Sequence, residues 1–92
     1  MTRDEIEKAI IHIFGNQFEI ENPGMDDDLR EVHEFDSIDA IELLREIEIL
    51  LGTQLTREEK KAAMDIRTIT HIVDYVTELD RKTERPKDRI MN

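Results

Sequence analysis

The stretch that decides the fold is Asp36-Ser37-Ile38-Asp39-Ala40-Ile41-Glu42-Leu43-Leu44, which opens a helical pattern that continues to Gly52. Winding the pattern at about 100° per residue places its apolar side chains on two lines. One line has the spacing of a core-facing stripe, and its members are Ala40, Leu43, Leu44, Ile47 and Leu51. The other line, Ile38, Ile41 and Ile49, lies roughly opposite, where a small helical domain has nothing left to cover it. We therefore expect these isoleucines to be available to a partner.

Ser37 stands where a helix N-cap is expected, between the irregular polar run 26–36 and the helical pattern. Such a hydroxyl is usually only structural. The following turns are strongly acidic, however, with Asp36, Asp39, Glu42, Glu46 and Glu48 opposed only by Arg45. The helix dipole favours the two aspartates, but Glu46 and Glu48 gain nothing from it. The acidity predicts attraction of a basic partner.

The order Asp36-Ser37-Ile38-Asp39, with Glu42-Leu43 after it, resembles the signature of the acyl carrier proteins. In that family the signature reads Asp-Ser-Leu, an acidic residue and a Glu-Leu pair, and the resemblance covers roughly residues 3 to 80. It implies that Ser37 carries 4′-phosphopantetheine, transferred from coenzyme A by a separate phosphopantetheinyl transferase. The thiol of that arm would hold acyl groups as thioesters, so the carrier itself is expected to be no enzyme.

The resemblance also implies roles for the surface around the serine. The residues expected to orient the transferase are Asp36, Ile38, Asp39 and Glu42. Those expected to select later partners are Ile41, Arg45, Glu46 and Glu48. These partners would be enzymes that load, elongate or transfer the acyl group and that have basic docking surfaces. The pathway would be fatty-acid, lipid or polyketide-type biosynthesis.

The fold expected is all-α, a four-helix bundle of the acyl-carrier type in residues 1–83, followed by a disordered tail in residues 84–92. Capping boxes at Thr2 and Thr56 start the first and third helices, and Thr68 caps the fourth. The second helix runs from about Ser37 to Leu51. The long first loop holds a short helical turn near 28–32, and the side chains expected to pin it to the core are Phe18, Ile20, Leu29 and Phe35.

Composition narrows the classes of function. The net charge is −10, and residues 1–56 hold 15 acidic and 4 basic residues, whereas residues 57–92 hold 8 and 9. A chain this acidic is not expected to bind nucleic acid, which needs clustered Lys and Arg. Cysteine is absent, so any thiol must come from a cofactor. Without a secretion signal or an apolar span, a cytoplasmic monomer without membrane insertion is expected.

Three departures from the family pattern favour a specialised member. Glu34 stands three residues before the serine, where many members have glycine, and suggests a different loop conformation. Arg45 replaces an apolar partner contact and argues against recognition by the ordinary fatty-acid enzymes. Between Leu55 and Ile69 the chain is about three residues longer, nearly one helical turn. We expect a dedicated pathway, such as one for lipopolysaccharide.

Other interpretations of the same residues stay open. A peptidyl or D-alanyl carrier would use the same serine and arm, whereas an unmodified acidic helical adaptor would use only the exposed isoleucines, with Ser37 as an ordinary cap. Catalysis by this chain is not expected, because His12, His33 and His71 have no paired spacing. No metal site is expected either, since the run 26–28 of aspartates lacks the spacing of a calcium loop.

Overall fold

The structure is a computed structural model that describes the backbone of residues 1–91 and the side chains of residues 1–82. The helices are α1 (Arg3–Gln17), α2 (Leu29–His33), α3 (Ser37–Leu51), α4 (Arg57–Ala63) and α5 (Ile69–Met91). The predicted all-α class is confirmed, and the described residues contain no strand. Helix α2 is the short turn expected in the first loop. Helix α5 extends to Met91, into the segment 84–92 that was expected to be a disordered tail, and the disorder of that segment stays a prediction.

Helices α1, α4 and α5 begin where the sequence predicts capping side chains. Thr2 and Thr56 each accept a hydrogen bond from the backbone three residues later and form complete capping boxes with Glu5 and Glu59. Thr68 Oγ1 accepts from the backbone N–H of His71 at 3.1 Å. Each cap satisfies backbone donors that the first turn of a helix leaves unpaired, and so fixes where that helix starts.

The core lies mainly between α1 and α5, which pack against each other. The fully buried side chains of these two helices are Ile6, Ile10, Phe14, Ile69, Ile72, Val73 and Val76. Helix α3 adds the inner part of its predicted stripe, Leu43, Leu44 and Ile47. Helix α4 has no buried residue and adds only the partly buried Ala63 at its end. The site therefore stands on a helix that the core holds firmly, next to one that it holds weakly.

The long loop between α1 and α3 is tied to the rest of the chain as expected. Leu29 and Phe35 are buried, while Phe18 and Ile20 pack against the core. The three phenylalanines of the protein, Phe14, Phe18 and Phe35, meet with ring centroids 5.3 to 5.4 Å apart. The Leu29 N–H also donates to the Arg67 carbonyl at 2.8 Å. These contacts fix the segment that leads to Ser37.

Candidate functional site

Ser37 is the first residue of α3, and the N-cap is Asp36. The expectation that Ser37 caps the helix was wrong. Asp36 Oδ1 accepts from the Asp39 N–H at 3.0 Å, and Asp39 Oδ2 accepts from the Asp36 N–H at 3.2 Å. The carboxylate of Asp36 takes the cap because it competes for the same orphan donor and is also favoured by the helix dipole. The serine is left without a capping role.

The Ser37 hydroxyl is exposed and has no hydrogen-bond partner among the described residues. Beside it lies an open groove of about 380 Å³ lined by Arg30, Glu34, Phe35 and Asp36. Arg30 is the cation of this groove, and its Nη2 donates to the Met64 carbonyl at 3.3 Å. A hydroxyl with no partner, at the mouth of a groove, is accessible for covalent modification.

Glu34 adopts the left-handed conformation, with φ 54° and ψ 32°, as the C-cap of α2. Glycine is the residue that adopts this conformation without steric cost. A glycine at this position would therefore suit the loop seen here. Glu34 therefore adopts backbone angles that glycine favours, and the different loop conformation suggested by this residue stays a prediction.

Most of the residues expected to contact partners lie together on the outer face of α3. Ile38 and Ile49 are each 73% exposed and Ile41 is 57% exposed, as the second apolar line predicts. Glu42 Oε1 lies 3.6 Å from Arg45 Nη1 on the same outer face. Asp36 and Asp39 stand at its start and are held by their mutual hydrogen bonds. These residues form a continuous exposed face that begins at Ser37.

Glu46 and Glu48 lie to either side of that face. Glu48 Oε2 accepts from the Leu55 N–H at 2.8 Å and lies 3.9 Å from Lys60 Nζ, so this carboxylate closes the connection between α3 and α4. Glu46 instead lines a shallow groove towards α1 with His12. The structure thus gives Glu48 a local structural contact, while the partner roles of both glutamates stay predictions.

A cavity of about 20 Å³ lies under the site, between α3, α4 and α5. Its walls are mostly apolar and include Leu43, Ile47, Ala63, Met64 and Ile66, with Arg30 at its edge. Its volume is about that of one water-sized probe. Ala63 of the weakly held α4 forms part of its wall, so a shift of α4 would enlarge this apolar space.

Tyr75 is the polar residue that joins α4 to this cavity. Its hydroxyl donates to the Glu59 carbonyl of α4, while its ring lines the cavity wall. Burial raises the pKa of Tyr75 to about 12, and the negative charges of Glu59 and Glu48 add to the shift. The sequence alone assigns no role to Tyr75 or Arg30, because both act through contacts with residues distant in sequence.

The aspartates of the run 26–28 have separate partners. Asp26 Oδ1 accepts from Thr70 Oγ1, Asp27 Oδ2 accepts from the Gly24 N–H, and Asp28 caps α2. Hydrogen bonding from the backbone of Glu31 lowers the pKa of Asp28. No three potential metal ligands come together within the described part of the chain.

His33, a candidate partner for a catalytic serine, faces the loop. Its Nε2 lies 3.2 Å from Asp27 Oδ2, where it stabilises the loop. A nucleophile arrangement would require His33 to reach Ser37 instead.

Within residues 1–91 none of the helices combines the length and the apolar character that crossing a membrane requires.

The comparisons with known proteins fit this geometry. A search among curated proteins found no match to the chain. A family model described as "Phosphopantetheine attachment site" matches residues 8–76, which include Ser37 and most of the bundle. Proteins of this family carry a covalently attached 4′-phosphopantetheine group. Because the match covers well over half of the sequence, the chain belongs to the family of phosphopantetheine-binding carrier domains.

Proposed function

We propose that this protein is an acyl carrier protein whose Ser37 is the attachment point of 4′-phosphopantetheine. The main support for the proposal is the exposed Ser37 hydroxyl, which does not cap α3 because Asp36 occupies the N-cap position. The residues present fit the arm, because the groove beside Ser37 is open and contains one cation, Arg30, suited to a phosphate. When bound, the arm supplies a thiol that can hold an acyl group as a thioester.

The transfer to the serine can be written with this chain as nucleophile. Ser37 Oγ would attack the phosphorus of coenzyme A that bears the pantetheine, and the new P–O bond would replace the pyrophosphate bond. Adenosine 3′,5′-bisphosphate would leave with the electron pair, and a base on the transferase would take the hydroxyl proton. The contribution of this chain is to present an unhindered hydroxyl at a fixed helix start.

The acidic start of α3 suits a transferase with a basic surface. Asp36 and Asp39 are held in one geometry by their mutual hydrogen bonds, and Glu42 lies one turn later. These carboxylates would orient the enzyme over Ser37 together with the exposed Ile38. In the same proposal Ile41, Arg45, Glu46 and Glu48 contribute to the choice of later partners.

The cavity beneath α4 supports acyl cargo over amino-acid cargo. Its lining is mostly apolar, and its present volume of about 20 Å³ is too small for an acyl chain. Loading would therefore displace α4, which has no buried residue to hold it. The extra length between Leu55 and Ile69 lies at this cavity, which fits a dedicated pathway for one acyl type. A cytoplasmic location and a monomeric state, expected from the sequence, belong to the same proposal.

Intact mass after incubation with coenzyme A, magnesium and a broad-specificity phosphopantetheinyl transferase tests the attachment. We expect one phosphopantetheine adduct on the native chain and none on Ser37→Ala. The matched control is Thr53→Ala, which removes a hydroxyl outside the site and should leave the adduct unchanged. An adduct that persists in Ser37→Ala would refute the assignment. No adduct on the native chain would favour the unmodified adaptor.

The initial rate of loading tests the contribution of the acidic surface. Glu42→Lys should slow loading several-fold at low ionic strength, and the difference should shrink as salt screens the charges. Glu21→Lys makes the same change in net charge within the long loop, and we expect it to have a smaller effect. Equal rates for the two variants at low salt would mean that the charge near Ser37 does not steer the transferase.

A further inference from the structure

The surface around α3 is not uniformly acidic, because α4 brings cations beside its later turns. The start of α3 carries Asp36 and Asp39, whereas a groove of about 460 Å³ between α3 and α4 is lined by four cations and one carboxylate. The cations are Arg45, Arg57, Lys60 and Lys61, and the carboxylate is Glu48. This local excess of positive charge stands out in a protein with a net charge of −10.

Nearby carboxylates leave most of this positive charge uncompensated. Within the described residues, no carboxylate lies at ion-pair distance from Arg57 or Lys61. Arg45 Nη1 lies 3.6 Å from Glu42 Oε1, and the Arg45 side chain is 71% exposed. Lys60 Nζ is 3.9 Å from Glu48, whose carboxylate already accepts from the Leu55 N–H. Exposed pairs at such distances are weak, so all four cations can turn to another partner.

The floor of the groove is apolar. Ile41 is more than half exposed on one wall, and Leu44 and Met64 lie deeper. A methionine is unbranched and adapts to the shape of an inserted side chain. The groove therefore offers a hydrophobic contact surrounded by positive charge, which is the complement of an apolar side chain flanked by carboxylates.

We propose that this groove docks an acidic segment of the enzymes that act on the arm. An apolar side chain of that segment would pack between Ile41 and Met64, and its carboxylates would pair with the surrounding cations. The inference rests on the proposed function. Ile41 follows Ser37 by about one helical turn, roughly 6 Å, so a protein that docks on α3 beside Ser37 can also contact the groove.

Charge distribution favours a protein segment over a more extended anion. A nucleic acid or an anionic membrane crossing the groove would also meet the acidic start of α3, around Asp36, Asp39 and Glu42. A protein can present carboxylates to the groove and basic residues to that acidic start. The basic docking surfaces expected from the sequence would then face only the start of α3, and the groove would require acidic residues.

Two synthetic helical peptides with the same apolar positions can test the proposal, one carrying Glu and the other Lys at the flanking positions. Each is titrated into the ¹⁵N-labelled full chain while amide chemical shifts are followed. We expect the Glu peptide to move the amides of Ile41, Arg45, Lys61 and Met64 and the Lys peptide to leave them in place. Absence of binding by the Glu peptide, or binding away from the groove, would overturn the proposal.

The variant Arg57→Glu/Lys61→Glu should weaken Glu-peptide binding by about tenfold or more, since two attractive contacts become repulsive. The control Lys8→Glu/Lys82→Glu makes the same change in net charge at exposed positions away from the groove. Equal weakening by both variants would overturn the proposal. Vesicles of anionic phospholipid should leave the groove amides unchanged, and shifts there would favour a lipid surface over a protein segment.

The attachment at Ser37 is measured separately by intact mass, so a failure of the docking proposal can be distinguished from a failure of the attachment. A native chain that gains the adduct but does not bind the Glu peptide at the groove would refute only the docking proposal. A chain that binds the Glu peptide there but gains no adduct would refute the attachment. It would also overturn the docking proposal, because that proposal concerns enzymes that act on the arm.

Discussion

Helices α1 and α5 form one half of the bundle, and α4 forms a very different part of it. Fully buried side chains such as Phe14, Ile72 and Val76 line the contact between α1 and α5. Helix α4 has no buried residue and contacts the rest through partly buried Ala63, the neighbouring Met64, the hydrogen bond from Tyr75 and the ion pair of Lys60 with Glu48. The free energy of unfolding should depend mainly on the first pair, because it follows buried apolar area.

The α1–α5 pair provides most of the stability, whereas α4 can change position. A helix held by few contacts can shift at a small cost in free energy, and a shift of α4 would create space in the cavity below it. Ser37 lies outside both regions, at the start of α3. The inner face of α3 is anchored by Leu43, Leu44 and Ile47, so Ser37 can stay fixed while α4 moves.

The largest expected effect comes from truncating the tightly packed half. Phe14→Ala should lower the free energy of unfolding by about 3–5 kcal/mol, through lost burial and the cavity left beside the rings of Phe18 and Phe35. Met64→Ala, beside α4, should cost about 1 kcal/mol or less, because Met64 is only partly buried. Urea denaturation followed by circular dichroism measures both.

Phe14→Leu keeps this comparison measurable if the alanine variant does not fold, since small domains have little stability to lose. It should still cost more than Met64→Ala, because a smaller side chain leaves the ring cluster underpacked. Equal losses in the two variants would contradict the division of the molecule into a tightly packed and a weakly held part.

A smaller effect is expected at the hydrogen bond between α5 and α4. Tyr75→Phe should lower stability by about 1 kcal/mol, the usual contribution of one hydrogen bond, and should speed amide exchange in α4 more than in α1. The measurement is hydrogen exchange followed by NMR. Uniformly faster exchange would indicate general destabilisation and not release of α4.

The pH dependence of Tyr75 gives a second measurement of the same contact. The pKa of Tyr75 is about 12 in the folded chain and near the ordinary value of 10.0 when unfolded. The folded state therefore favours the neutral phenol, and the resulting stability is full below pH 10 and is lost as the pH rises to 12. Tyr75 is the protein's one tyrosine, so tyrosinate absorbance follows it directly. Tyr75→Phe should lose less stability over this interval.

The smallest effect is a gain at Glu34. Glu34→Gly should stabilise the fold by about 0.5–1 kcal/mol, because release of the left-handed strain outweighs the entropy that glycine loses on folding. Glu34→Ala removes the carboxylate but keeps the strain, so it should leave stability nearly unchanged. Thermal unfolding compares the two, and a glycine variant no more stable than the alanine variant would contradict this explanation.

Much of the fold could be predicted from local signals. The capping boxes at Thr2 and Thr56 and the core stripe of α3 depend on residues three or four apart, and the structure confirms them. The N-cap at the site was misplaced by one residue because Asp36 and Ser37 are both good caps. Sequence alone does not decide which side chain reaches the backbone.

Features formed between distant residues could not be predicted in this way. The pairing of Tyr75 with Glu59, the place of Arg30 and the role of Glu48 at the α3–α4 connection depend on how the helices pack. The groove of four cations likewise joins Arg45 of α3 to residues of α4. In the sequence they appear only as scattered charges within an acidic chain.

The order of charge beside α3 affects the orientation in which a partner can bind. A helix with carboxylates at its start and cations beside its later turns has a polarity that a partner can distinguish. A partner turned end for end would meet like charges at both positions, and such mismatches are costly. The same arrangement would disfavour enzymes matched to a uniformly acidic carrier, so one feature can determine both how a partner binds and which partners are rejected.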